Sequence, residues 1–231
     1  PTNHTLNGYG SSAWIVTRSA SFCTEPPTDP QMNSDRISAY SFIQDGDAIG
    51  SGALYAESGY FRFRNQSSWY IFAEFSTNGT ECRTETSSPC LDETMTTTSN
   101  ADNIQYYQIY STSSDEMEMW YYDGTTRGKI LTTNYDPTAS GTNHWSDYWQ
   151  HVYSGHTHNV QNDVPGSVDH KASFTSIAYA PSSWDGTGTP SFTDLGTTPS
   201  SNNMDSVSYY CFENGGTDSS FNIWVNGSCP S

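Results

Sequence analysis

Alternation constrains this chain more than any other feature. In Phe61-Arg62-Phe63-Arg64 the phenylalanines recur at every second residue with arginines between them. In the next segment Trp69, Ile71, Ala73 and Phe75 form one set, and Tyr70, Phe72 and Glu74 the other. Met117-Glu118-Met119-Trp120-Tyr121 alternates in the same way up to Asp123-Gly124. A repeat of two sends successive side chains to opposite faces of a strand, whereas a helix needs apolar residues every three to four positions. No segment carries a convincing helical stripe of four turns, and 104–110, 173–179, 207–212 and 221–225 read as further strands. Asn7-Gly8, Asp45-Gly46, Asn78-Gly79, Asp123-Gly124 and Asp185-Gly186 punctuate them as turns. Several segments carry aromatics on both sides, the pattern of strands covered on both faces or lining a groove. The prediction is an all-β chain, a two-sheet antiparallel β-sandwich forming a single domain over 1–231, with long polar loops at 20–35, 80–102, 132–147 and 180–205.

Composition narrows the partners. Eight basic residues face 25 acidic ones, for a net charge of −17. Binding to nucleic acid or to anionic lipid needs a basic patch that releases counterions, and the only lysines are Lys129 and Lys171. The same field repels polyanionic polysaccharides at long range, so a neutral ligand or a metal cation is easier to accommodate. No run approaches the roughly 18 apolar residues of a membrane span, so no membrane insertion is expected. Pro1 reads as a processed start of a secreted chain.

Secretion is also the expectation from sequons and cysteines. Asn3, Asn65, Asn78 and Asn226 each begin an Asn-x-Ser/Thr acceptor, and two of these lie in Asn-Gly turn contexts. Cys82 and Cys90 flank a short polar segment without metal-type spacing, which reads as a local disulfide. Cys23, Cys211 and Cys229 leave their pairing open. With a hairpin turning at Asn214-Gly215-Gly216, Cys211 falls opposite Asn222 or its neighbours rather than Cys229, and one of the five cysteines must be free or intermolecular.

Three stretches resemble the glutamic peptidases, the eqolisin family. Ser58-Gly59-Tyr60 followed by Ser68-Trp69-Tyr70 is similar to that family's glycine turn and Trp-Tyr strand. Residues 103–110 and 116–124 resemble its paired strands. Tyr148-Trp149-Gln150-His151-Val152-Tyr153, then Val164-Pro165-Gly166 and Phe174, resemble its Trp-containing catalytic strand and the strand that follows. The resemblance spans 50–180 and implies a concanavalin-like jelly roll. The family's catalytic Gln and Glu fall near Tyr55 and Tyr153, where neither residue type stands, so the resemblance implies the fold without that pair at those positions. Gln108-Ile109-Tyr110 and the strand arginines resemble jelly-roll polysaccharide lyases, in which Arg62 or Arg64, a histidine and a tyrosine would serve as neutraliser, base and acid.

The densest polar and aromatic constellation is 144–170, which holds five of the six histidines. Trp145, Tyr148 and Trp149, with His151, are candidates for stacking a sugar ring, and equally fit one core and one rim tryptophan. His156-Thr157-His158 presents both imidazoles on one face of an extended segment, a geometry suited to a divalent metal with a third ligand from His151, His170, Asp163 or Asp169. The same pair also reads as solvated loop residues beside Gly155. Asp115, Glu116 and Glu118 read as a solvated acidic strand end rather than a catalytic carboxylate pair. The leading expectation is a secreted glycoprotein that binds neutral carbohydrate through an aromatic surface. Its rivals are an extracellular hydrolase or polysaccharide lyase on the same fold, and a structural or adhesive surface protein capable of self-assembly.

Overall fold

The computed structural model describes residues 2–16, 18, 36–45, 54–63, 68–76, 91–96, 104–112, 116–133, 145–154, 166–196, 210–216 and 219–225. All regular structure among them is β-strand, in two antiparallel sheets. The six-stranded sheet contains β1 (Thr2–Gly8), β3 (Arg36–Asp45), β4 (Leu54–Phe63), β5 (Tyr70–Ser76), β6 (Leu91–Thr96) and β10 (Trp145–Ser154). Their order is β1-β10-β3-β4-β5-β6. The nine-stranded sheet contains β2 (Gly10–Val16), β7 (Ile104–Ser111), β8 (Met117–Tyr122), β9 (Arg127–Thr133), β11 (Gly166–Ser167), β12 (His170–Ala180), β13 (Thr193–Asp194), β14 (Tyr210–Asn214) and β15 (Phe221–Val225). Its path runs β14-β15-β12-β2-β7-β8-β9, with β11 and β13 also paired to β12.

The predicted alternation becomes the core between the sheets. Tyr60, Trp69, Ile71, Ala73 and Phe75 from one sheet pack in a single cluster with Ala13, Ile15, Tyr107, Ile109, Met117, Met119 and Phe174 from the other. Phe174 stacks on Phe221 at 4.5 Å between ring centroids, and Phe221 on Phe212 at 5.4 Å. Such pairs contribute about 0.5–1.5 kcal/mol beyond their buried area. Tyr60 is fully buried, and its hydroxyl donates to the Val16 carbonyl at 3.3 Å, a polar tie from the six-stranded to the nine-stranded sheet. Burial pushes that hydroxyl's pKa well up, so it stays a donor.

Asn7-Gly8 marks a change of sheet rather than a hairpin. β1 ends at Gly8 in one sheet and β2 begins at Gly10 in the other. Between them Tyr9 donates its N–H to the Ala180 carbonyl, and its own carbonyl accepts from Ser111. A Cβ on Gly10 would stand 2.3 Å from the Ile109 carbonyl oxygen, so only glycine lets β2 approach β7 there. Asp123-Gly124 does turn a hairpin: Asp123 Oδ1 accepts the N–H groups of Thr125 and Thr126 at 2.9 and 2.7 Å, and Gly124 has φ +91°.

Seven of these strands, β1, β2, β3, β6, β9, β11 and β13, were not expected from the pattern. β6 lies inside the predicted loop 80–102, with only Leu91 and Met95 as large apolar residues, because a strand at the sheet's end needs one apolar side and one pairing neighbour. β9 runs to Thr133 and β10 begins at Trp145, so both ends of the predicted loop 132–147 are strand. Part of the predicted loop 180–205 is pinned: Trp184 bridges to Thr112, and β13 pairs with β12. In the β14–β15 hairpin Asn214 pairs with Phe221, and the Gly215 N–H donates to the Ser220 carbonyl. The turn is longer than the predicted Asn214-Gly215-Gly216 turn, so Cys211 lies opposite Trp224 instead of Asn222, and its thiol is free.

Candidate functional site

The sequence of β4 places Ala56, Ser58 and Tyr60 on the core side, so Glu57, Gly59 and Phe61 take the outer face of the six-stranded sheet. In β5 Ile71, Ala73 and Phe75 face the core, leaving Tyr70, Phe72 and Glu74 outside. Register then fixes the outer face. Glu57 stands directly opposite Glu74, Gly59 opposite Phe72, and Phe61 opposite Tyr70. Opposed residues of an antiparallel pair hold their Cβ atoms about 4.5–5.5 Å apart.

Both carboxyl groups are withdrawn from water, Glu57 being 5% and Glu74 1% exposed. An aromatic cluster continues along the same face: Phe61 stacks on Tyr70 at 5.2 Å and meets Phe72 edge-on at 5.4 Å. Gly59, which has no side chain, stands opposite Phe72 between the carboxyl row and Phe61. Two negative charges about 5 Å apart repel by about 3 kcal/mol at an effective dielectric of 20, more than the cost of keeping one proton at mildly acid pH. A proton shared between two adjacent carboxyl groups makes one an acid and the other a base.

A third buried carboxylate behaves differently. Glu118, on the outer face of the nine-stranded sheet, is 7% exposed. Its Oε2 accepts from the Tyr110 hydroxyl at 2.9 Å and from Trp120 Nε1 at 2.8 Å, while Oε1 accepts from Lys129 Nζ at 2.8 Å. Burial opposes its charge, but the hydrogen bonds from Lys129, Trp120 and Tyr110 outweigh it and hold the carboxyl below the ordinary glutamate range. Burial, and then Glu118 itself, push the Tyr110 hydroxyl up. Trp184 closes over Tyr110 edge-on at 5.5 Å, its backbone N–H donating to the Ser111 carbonyl. The predicted solvated acidic strand end is therefore a buried, donor-saturated anchor at Glu118.

Trp145, Tyr148, Trp149 and His151 all lie in β10, two strands from β4. Trp149 pairs with Asn3 on one side and Phe42 on the other, in the row that continues to Glu57, Glu74 and Asp92. His151 pairs with Tyr40, in the row of Gly59 and Phe72. Tyr148 takes the intervening register, opposite His4 and Ile43, and Trp145 pairs with Gly8. The rows thus bring Trp149 and His151 into line with the carboxyl pair. Tyr55 lies two residues before Glu57 in β4, and Tyr153 pairs with Ser38 in the row of Phe61. Arg62 stands on the six-stranded sheet, and Gln108 and Tyr110 on the nine-stranded one.

Asn3 belongs to β1, while Asn65, Asn78, Asn226, Cys82, Cys90, Arg64, His156 and His158 lie outside the described residues. Among the described residues no group of three or more His, Cys, Asp or Glu side chains is arranged to hold a metal ion. Sequence reasoning missed the pairing of Glu57 with Glu74. The available signal was a carboxylate at the one polar position on the outer side of each of two aromatic strands.

No family model matches the chain, and no curated protein matches it. Solved structures match in fold. Scytalido-glutamic peptidase with a transition-state analogue inhibitor superposes at a TM-score of 0.55 and 13% identity, covering 97% of this chain and 96% of that one. The same peptidase with a peptide-based transition-state analogue gives a TM-score of 0.52 at 14% identity, with the same shares covered. At these identities the likeness is one of fold.

Proposed function

We propose that the chain is a secreted, acid-acting hydrolase of peptide bonds, with Glu57 and Glu74 as its catalytic carboxyl pair. The observation that carries this reading is their direct opposition in adjacent strands, both buried, on an aromatic outer face. The structural likeness to glutamic peptidases supports the choice of peptide over other acyl substrates. Extracellular location rests on the sequons.

The chemistry needs one proton between the two groups. The ionised carboxylate takes a proton from a water molecule, whose oxygen attacks the peptide carbonyl. The protonated carboxyl gives its proton to the carbonyl oxygen, forming a tetrahedral intermediate. The carbon–nitrogen bond then breaks as the newly protonated carboxyl donates to the leaving amine and the other recovers its proton from the intermediate's hydroxyl. Burial strengthens each of these transfers by lowering the local dielectric.

Two buried carboxyl groups on adjacent strands are also the equipment of a glycoside hydrolase, which connects with the expectation of a carbohydrate ligand. Incubating the purified protein with an unfolded protein and with aryl glycosides between about pH 3 and pH 7 separates the two. Peptide fragments whose yield rises toward acid support the proposal. Release of sugar without peptide cleavage replaces it with the glycosidase, and turnover of neither overturns both.

A further inference from the structure

The outer face of the nine-stranded sheet carries a second arrangement that the carboxyl pair does not use. Trp14, Tyr106, Tyr122 and Arg127 stand in one register row across β2, β7, β8 and β9. Four strands about 4.8 Å apart make this row roughly 14 Å long. Trp14 stacks on Tyr106 at 5.0 Å with planes 29° apart, and meets Tyr122 edge-on at 5.9 Å. All three rings are half-exposed. Two are pinned by their hydroxyls: Tyr106 donates to Ser12 Oγ at 3.0 Å and Tyr122 to the Gly124 carbonyl at 2.7 Å. Rings already held in place lose little freedom when a ligand settles on them.

Charge gives the row a direction. In the next row Trp120 pairs with Lys129, and the Arg127 guanidinium lies 4.3 Å from the Trp120 ring centroid with Lys129 Nζ at 5.5 Å. Lys129 is neutralised by Glu118. Arg127 is exposed and shares one hydrogen bond with Tyr110. Stacking uses the flat of a guanidinium and leaves the other donors in its plane, the geometry that grips a carboxylate with two parallel bonds. The local balance of Arg127, Lys129 and Glu118 is one positive charge, on a chain whose total is −17.

We propose that this face is a docking site for an acidic saccharide chain of the uronate type. The apolar faces of its rings would lie on Trp14, Tyr106 and Tyr122, and one carboxylate would pair with Arg127. The chain's overall negative charge does not forbid this, because at physiological ionic strength fields are screened beyond about 8 Å and Arg127 acts within that range. An acidic peptide satisfies the cation but has no rings to cover the aromatic row, and a neutral glucan covers the row but leaves the cation unused. The site is independent of the carboxyl pair on the opposite sheet.

The test is titration of the whole chain with short oligogalacturonates at low and physiological salt, followed by tryptophan fluorescence and calorimetry. Neutral cello-oligosaccharides and poly-glutamate are the comparison ligands. Saturable oligogalacturonate binding that weakens with salt is expected, with both comparison ligands at least about tenfold weaker. Arg127→Gln, at an exposed position, should weaken binding about tenfold or more in a chain that still folds, and Trp14→Ala should weaken it likewise while lowering the melting temperature through the lost ring contacts. Should W14A not fold, R127Q carries the test alone. Binding should persist in E57Q, which separates this face from the proposed active site. Equal binding of poly-glutamate or of the neutral oligosaccharide, unchanged affinity in R127Q, or no binding at all overturns the proposal.

Discussion

The two outer faces of this sandwich each bury carboxylates, and they treat them in opposite ways. On the six-stranded sheet Glu57 meets Glu74, a like group in the same register row. On the nine-stranded sheet Glu118 meets Tyr110, Trp120 and Lys129, three donors directed at its two oxygens. Exposure does not distinguish them, at 5% and 1% against 7%. What differs is the neighbour. A carboxylate among three donors is held ionised and serves as an anchor, whereas two carboxyl groups set opposite each other can divide one proton between them, which is the role proposed for Glu57 and Glu74. Burial by itself therefore identifies neither a catalytic nor a structural acid.

Removing either member of the carboxyl pair should have the largest effect on activity. Glu57→Gln and Glu74→Gln should each lower peptide turnover by about 10³-fold or more. Each should leave the chain folded, because the amide keeps the size and shape of the carboxyl group it replaces. Turnover assayed beside thermal melting checks both halves, and a folded variant of near-normal activity breaks the contrast.

The anchor should show the reverse. Glu118→Ala strands the Tyr110 hydroxyl, the Trp120 N–H and the Lys129 ammonium, and should destabilise the fold by about 2–3 kcal/mol, since Lys129 retains partial access to water. Activity per folded molecule should be unaffected. Tyr110→Phe removes one of those donors and should cost about 1 kcal/mol. Denaturant unfolding measures both changes, and a neutral result for E118A contradicts its role as an anchor.

Titration sharpens the contrast further. The Glu118 carboxyl sits below the ordinary glutamate range in the folded chain. Its contribution is complete above that range and is lost as pH falls through the depressed folded value. The stability gap between wild type and E118Q should stay constant from neutral pH down to about pH 5 and close only in stronger acid. A gap that closes between neutral pH and pH 5 would contradict the assignment. The smallest effect belongs to the solvent-facing pair Lys171–Glu213, with the same charges but open to water. Glu213→Gln should leave the melting temperature unchanged within measurement, because exposed ion pairs contribute little.

These differences were only partly legible in the sequence. Alternation in Trp69, Ile71, Ala73 and Phe75 and in Met117 to Tyr121 separated the two sides of each strand, because side-chain direction in a strand follows parity, and packing then chose which side faces the core. Glu74 was likewise readable as an outward residue beside Tyr70 and Phe72. Its pairing with Glu57 was not, since register depends on the connection between β4 and β5 and on packing along both strands. Glu118 was misjudged for the same reason: Lys129 reaches it through a hairpin partner, and Trp184 closes over Tyr110 from 66 positions beyond Glu118 in the chain. β6 escaped notice because a strand at the end of a sheet needs few apolar residues.

The central claim is that Glu57 and Glu74 act as one proton-sharing unit, and the pH–rate profile of peptide hydrolysis tests it most directly. Wild type should give a bell-shaped kcat/KM profile with its maximum on the acid side of neutrality, its two limbs belonging to the pair. E57Q, E74Q and the double variant, each shown to be folded, should be inactive to the same degree, because residues that act as a unit are not additive. A folded single variant that keeps the wild-type profile, or losses that multiply in the double variant, would contradict it.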